Sequence, residues 1–166
     1  MRKLFALTSL AALAVGGAIA FTTLSSAQTD QQTVDGMGEM TAAGLSRDIT
    51  IWRSPGCGCC DAYADYLQAN GYRVTLVDDQ DFDRRSVEAG VPEQGLGCHL
   101  AEIDGYYVSG LVPTAIIERL LTERPEIEGI TLPGMPANAP GMAPEKSGTL
   151  KTYAFGEGGI TVYSNE

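Results

Sequence analysis

The sequence predicts one α/β domain with a mixed sheet, flanking helices and an added C-terminal β-hairpin. Three observations carry this. Apolar residues alternate with period two in "DITIWRS" (48–54) and "YRVTLVDD" (72–79), while the segment between them has helical spacing. Asp104-Gly105 separates two short apolar runs, which is the strongest short-range hairpin signal. Near the end, "LKTYAF" and "ITVYS" flank "GEGG", a second hairpin with Tyr153 and Phe155 able to face Ile160 and Val162.

The elements follow in order. Ile49, Ile51 and Arg53 alternate with Thr50 and Trp52, so the first is a strand. "PGCGCC" breaks it. From Cys60 to Asn70 the residues Tyr63, Tyr66 and Leu67 share one helical face, and Gly71 suits the position after the helix. "YRVTLVDD" is a second strand with Val74 and Leu76 on one side. "DFDRRSVEAG" is a short helix closed by Gly90. "HLAEI" and "YYVSG" are the two arms of the Asp104-Gly105 hairpin. "PTAIIERLLTER" starts with Pro113 in its first turn, lines one face with Ile116, Ile117, Leu120 and Leu121, and meets Pro125 just past its end. Residues 132–148, rich in proline and glycine, read as an irregular loop. A strand-helix-strand start implies a parallel pair with a crossover helix. The whole order resembles the thioredoxin-like fold, in which a cysteine motif follows the first strand and opens the first helix.

The chain begins with Met1-Arg2-Lys3, a long apolar stretch to Phe21, and small residues at Ser25 and Ala27. This has the form of a secretory leader over residues 1–27, of bacterial type, rather than of a membrane anchor. Periplasmic localisation is the expectation, with no membrane attachment after cleavage. Residues 28–47 are polar and aperiodic and read as a flexible lead-in carrying Met37 and Met40, followed by the domain at 48–166. Removing the leader takes away Arg2 and Lys3 and no acids. With 11 basic and 21 acidic residues in all, the formal charge falls from −10 to −12. Such a surface repels nucleic acid and anionic membrane.

Four cysteines remain to be explained. Cys57, Cys59 and Cys60 lie in "SPGCGCCD", and Cys98 lies in "GLGCHL" beside His99, the only histidine. Secreted proteins usually pair an even number of cysteines. This spacing is poor for staples, because an adjacent Cys59–Cys60 bridge is strained and a Cys57–Cys60 loop is too small to restrain the unfolded chain much. A second reading is redox: Cys57 and Cys60 form C-x-x-C at a helix start, where the helix dipole and free N–H groups favour thiolate. A thiol–disulfide oxidoreductase needs only those two, and gains nothing evident from Cys59, Cys98 or His99. The third reading is metal. Dense C-x-C-C spacing suits several ions sharing bridging thiolates better than one tetrahedral zinc, and thiolates with one imidazole favour Cu(I).

Taken together, "SPGCGCCDAYADYLQANGY", "GVPEQGLGCHLAEIDGYYVSGLVP", "PGMPANAPGM" and the final "VYS" resemble CopG-type copper-resistance proteins, a thioredoxin-like periplasmic metal-binding family. The resemblance spans roughly residues 48–165. It implies copper binding, copper tolerance and Cu(II)/Cu(I) interconversion. It also implies metal ligation by Cys57, Cys59, Cys60, Cys98 and His99, with Met135 and Met142 as the methionines of the "PGM" loop, acting as ligands or as a cover over the thiolates. The expected cargo is copper, as Cu(I) and more than one ion, and the expected partners are copper ions and other periplasmic copper-handling proteins. Trp52 and Tyr63 read as core or pocket wall.

Overall fold

The structure is a computed structural model that describes residues 46–144 and 146–166. The expected leader, and the lead-in up to residue 45 with Met37 and Met40, lie outside the described residues. The described elements are β1 (Asp48–Arg53), α1 (Gly58–Ala69), β2 (Arg73–Asp78), α2 (Phe82–Glu88), a 3-10 turn at Glu93–Gly95, β3 (His99–Ile103), β4 (Tyr106–Ser109), α3 (Thr114–Glu123), β5 (Gly129–Thr131), β6 (Lys151–Gly156) and β7 (Gly159–Asn165). The strands form one sheet in the order β2-β1-β3-β4-β5-β6-β7. β1 and β2 run parallel, and β3 and β4 form the antiparallel hairpin turned by Asp104 and Gly105, both at positive φ. This is the thioredoxin-like α/β arrangement that the element order predicts.

One strand is new relative to the sequence pattern. Gly129–Thr131 is a three-residue strand that pairs parallel with β4 and antiparallel with β6. It is too short to show period-two alternation. Its consequence is large: it stitches the closing hairpin into the main sheet instead of leaving it as an appendage.

The two sheet faces differ. Ile49, Ile51, Ala101, Ile103, Val108 and Ile130 meet Tyr63 and Leu67 of α1 and the Ile116/Ile117/Leu120/Leu121 stripe of α3. Burying each such aliphatic side chain stabilises by about 1.5–3 kcal/mol, so this face supplies most of the drive to fold. Fully buried Tyr63 satisfies its hydroxyl by donating to the Val112 carbonyl at 2.6 Å. The opposite face holds a smaller cluster of Val91, Leu100 and Phe155, with Trp52 and Tyr107 packed against it. Trp52 therefore lies across the sheet from Tyr63, which belongs to the cysteine-bearing helix α1 itself.

The segment before β3 passes very close to the end of β4. A Cβ on Gly97 would sit 2.3 Å from the Gly110 Cα and 2.5 Å from its nitrogen. Both are backbone atoms and cannot swing aside. Gly97→Ala is therefore expected to destabilise the fold by about 3 kcal/mol, the upper end of ordinary overpacking, read as a lower urea midpoint. An unchanged midpoint would mean the two backbones part easily.

Candidate metal centre

The helical period sorts the cysteines. On α1 the buried positions are Cys60, Tyr63, Ala64 and Leu67, a spacing of three, four and seven that faces the sheet. Cys60 is fully buried on that stripe, whereas Cys57 precedes the helix and Cys59 points off it, both half-buried. Backbone N–H groups of Cys60 and Asp61 both bond the Cys57 carbonyl at 3.1 Å, which fixes the first turn. Asp61 complements the positive end of the helix.

The partner strand brings the second pair. β3 is antiparallel to β1, with His99 opposite Arg53, so the residues entering β3 lie beside the loop that leaves β1. The sulfurs of Cys57, Cys59 and Cys60 all lie within 4.8 Å of one another, and so do the Cys60 sulfur, the Cys98 sulfur and a His99 ring nitrogen. Cys60 is thus common to both groups. The Cys59 and Cys57 sulfurs are 3.4 Å apart, and the Cys98 sulfur is 3.4 Å from His99 Nδ1.

A third segment closes over the cysteines. Gly134 pairs with Gly97 in an isolated bridge, and its N–H donates to the Leu96 carbonyl at 3.0 Å. The next residue, Met135, consequently reaches the cluster, with Sδ 3.8 Å from the Cys59 sulfur. Met135 remains exposed at 56% and forms the solvent side of the group. Farther along, Gly141 (φ +86°) lies so close to α1 that a Cβ there would be 2.8 Å from the Cys59 carbonyl. Met142 then lines a groove along the flank of α1 with Ala62, Asp65, Tyr66 and Ala69. The structure places Met135, and not Met142, against a cysteine sulfur.

Cys57 and Cys60 are joined as a disulfide, while Cys59 and Cys98 are free thiols. The small C-x-x-C loop, poor as a staple by its spacing, is therefore closed here. In this state two of the expected ligand sulfurs are bonded to each other. Burial first, then the neighbouring Cys59, push the Cys98 thiol up to about 12. Burial holds His99 down at about 3, so its imidazole is neutral and keeps a lone pair for a metal. Its ring packs 4.9 Å from that of Tyr63, and its Nε2 is buried without a hydrogen-bond partner among the described residues.

Arg53 also belongs to this neighbourhood, and the cysteine and histidine motifs do not point to it. Its Nη2 bridges Asp61 Oδ1 of α1 at 3.1 Å and Asp78 Oδ1 at the end of β2 at 3.4 Å. The available signal is the alternation itself, which puts a cation at the inward position after Ile49 and Ile51.

The donor set is soft: four sulfurs from cysteine, one thioether and one neutral imidazole. Such a set fits copper or zinc and excludes the hard cations that prefer oxygen. Fold and site together define a thioredoxin-like α/β protein with a cysteine cluster at the head of its first helix, able to hold metal. A family profile described as a protein of unknown function, DUF411, matches residues 96–142, the stretch holding Cys98, His99, Met135 and Met142. Two solved structures of copper resistance protein CopG, forms 2 and 1, are each 32% identical to this chain, with a TM-score of 0.66. They cover 73% and 74% of this chain and 98% of their own. The chain belongs to the CopG copper-resistance protein family. No curated protein matches it. Among the described residues, no helix is long and apolar enough to cross a membrane.

Proposed function

We propose that this is a periplasmic copper-binding protein of copper resistance, which holds more than one Cu(I) on the thiolates of Cys57, Cys59, Cys60 and Cys98. The convergence of these sulfurs with His99 and Met135 at one helix start is the observation that carries the reading. His99 supplies a neutral nitrogen on the buried side, and Met135 covers the exposed side as a soft ligand. Several monovalent ions on four thiolates nearly cancel charge, which removes the penalty of a half-buried anionic cluster. The secretory form of residues 1–27 supports the compartment. Copper ions and other periplasmic copper-handling proteins are the partners this reading expects.

The Cys57–Cys60 disulfide supports a redox side to the same site. Two Cu(II) ions accept one electron each from the two thiolates, giving two Cu(I) and one disulfide. The disulfide also favours a second reading, a thiol–disulfide oxidoreductase working through Cys57 and Cys60 alone.

Elemental analysis tests the main reading. The mature, reduced protein, offered copper and zinc together, is expected to retain more than one copper per chain in preference to zinc. One tightly held zinc and no copper would overturn it.

A further inference from the structure

We propose that Met135 is the port through which Cu(I) enters and leaves the site. Its thioether takes the ion from an incoming carrier and passes it to Cys59. Its effect is on the rate of exchange, not on retention. The inference deepens the proposed function and rests on its copper reading.

Accessibility comes first. The soft donors are graded from solvent to core. Met135 is 56% exposed, Cys57, Cys59 and Cys98 are half-buried, and Cys60 and His99 are completely buried. A completely buried donor cannot meet a carrier, so capture falls to the outermost one.

Contact comes second. Met135 Sδ is 3.8 Å from Cys59 Sγ, which is 3.4 Å from Cys57 Sγ. The Cys60 sulfur lies within 4.8 Å of those of Cys57 and Cys59, and within 4.8 Å of the Cys98 sulfur and a His99 ring nitrogen. From the surface inward, each donor has a neighbour near enough to take an ion over from it. Met142 is also exposed, but it lines the α1 flank beside Ala62 and Tyr66 rather than a cysteine sulfur.

The backbone around the site is open on the same side. A Cβ on Gly97 or Gly141 would strike backbone at 2.3 or 2.8 Å, so the chain is closely packed there. A Cβ on Gly56, Gly58 or Gly134 would meet nothing within 4 Å. Gly56 and Gly58 flank Cys57, and Gly134 precedes Met135. The open side is therefore the one that carries Met135.

The chemistry gives the direction. A thioether has no proton to lose, whereas a cysteine must be deprotonated to ligate. A Cu–S bond to Met135 forms as one bond to a carrier ligand breaks. Cys59 then releases its thiol proton to water as its own Cu–S bond forms, and the last carrier ligand leaves. Copper stays Cu(I) throughout. A thiolate attracts the cation more strongly than a neutral thioether, so the ion moves inward. A port of this kind speeds entry and exit alike, and its loss changes both rates without changing their ratio.

Met135→Leu keeps the bulk of the side chain and removes the sulfur. In the reduced protein, transfer of Cu(I) from bicinchoninate and back to it should each slow by about tenfold, the lower end of the range over which association rates vary at one interface. Retention, the ratio of the two, should change by less than about tenfold, the lower range for groups around a metal. Met142→Leu should exchange like the parent. Faster release with unchanged uptake in Met135→Leu would make Met135 an ordinary ligand. Parental exchange in Met135→Leu with faster exchange in Met135→Ala would make it only a cover. Either result overturns the proposal, as does a Met142→Leu variant slowed like Met135→Leu. A second measurement uses silver(I), a soft monovalent ion with no redox change, on the disulfide form carrying carbon-13 methionine methyls. Cys57 and Cys60 are then bonded to each other, while Cys59 still touches Met135. The Met135 methyl signal should move before that of Met142, and the reverse order would overturn the proposal. A protein that shows this silver contact but takes up no copper would count against the copper reading and leave capture at Met135 standing.

Discussion

Cys98→Ser is expected to lower Cu(I) retention by on the order of a hundredfold, the upper end of losses around a metal and fitting for a ligand itself, while disulfide exchange at Cys57 and Cys60 continues. The reason is placement. Only Cys60 belongs both to the trio at the start of α1 and to the trio with Cys98 and His99. Removing the Cys98 sulfur leaves the second trio with Cys60 as its one sulfur, and a serine hydroxyl is too hard a donor to replace it for Cu(I). His99→Ala removes a terminal nitrogen and should be milder, about tenfold. Retention is read against a competing Cu(I) chelator, beside reduction of a small disulfide by the same samples. An oxidoreductase built on Cys57 and Cys60 keeps its attacking and resolving thiols in both variants. If both variants hold copper like the parent while Cys57→Ser abolishes exchange, the oxidoreductase reading takes over.

Much of this site is legible in the amino-acid sequence. The strand–cysteine–helix order places three sulfurs at one helix start, and the Asp104-Gly105 turn folds β3 and β4 onto β1, carrying Cys98 and His99 with them. Local signals suffice there, because hairpin turns and helical stripes are written in neighbouring residues. What stays hidden is set by contacts between distant segments. β5 exists because β4 and β6 offer it partners, not because "GIT" favours a strand. The different fates of Met135 and Met142 depend on the Gly97–Gly134 bridge and on Gly141 pressed against α1, neither of which leaves a trace in spacing. Nor does spacing select Cys57 and Cys60 as the disulfide pair, since a C-x-x-C motif is equally compatible with thiols, disulfide or metal.

Oxidising the Cys57–Cys60 pair should nearly abolish copper holding, by a factor of about a thousand or more if each of two lost ligand sulfurs exceeds the loss of a supporting group. In the disulfide state only Cys59 and Cys98 remain as thiols. They have no Cys60 thiolate to bridge them, so the two trios of donors are uncoupled. Cys98 adds a second barrier. Its thiol, pushed up to about 12 by burial and by Cys59, keeps its proton at neutral pH until a metal displaces it. Copper uptake must therefore release protons, and retention should strengthen as pH rises. The measurement is paired: thiol titration finding two free thiols or four per mature chain, then copper retention on each sample across pH 6 to 8. Adding Cu(II) to the reduced protein should run the couple forward, with two copper ions reduced for each disulfide formed. A sample with two free thiols that retains copper as firmly as the four-thiol form would show that Cys57 and Cys60 do not hold the metal, and the ligand set would contract to Cys59, Cys98, His99 and Met135.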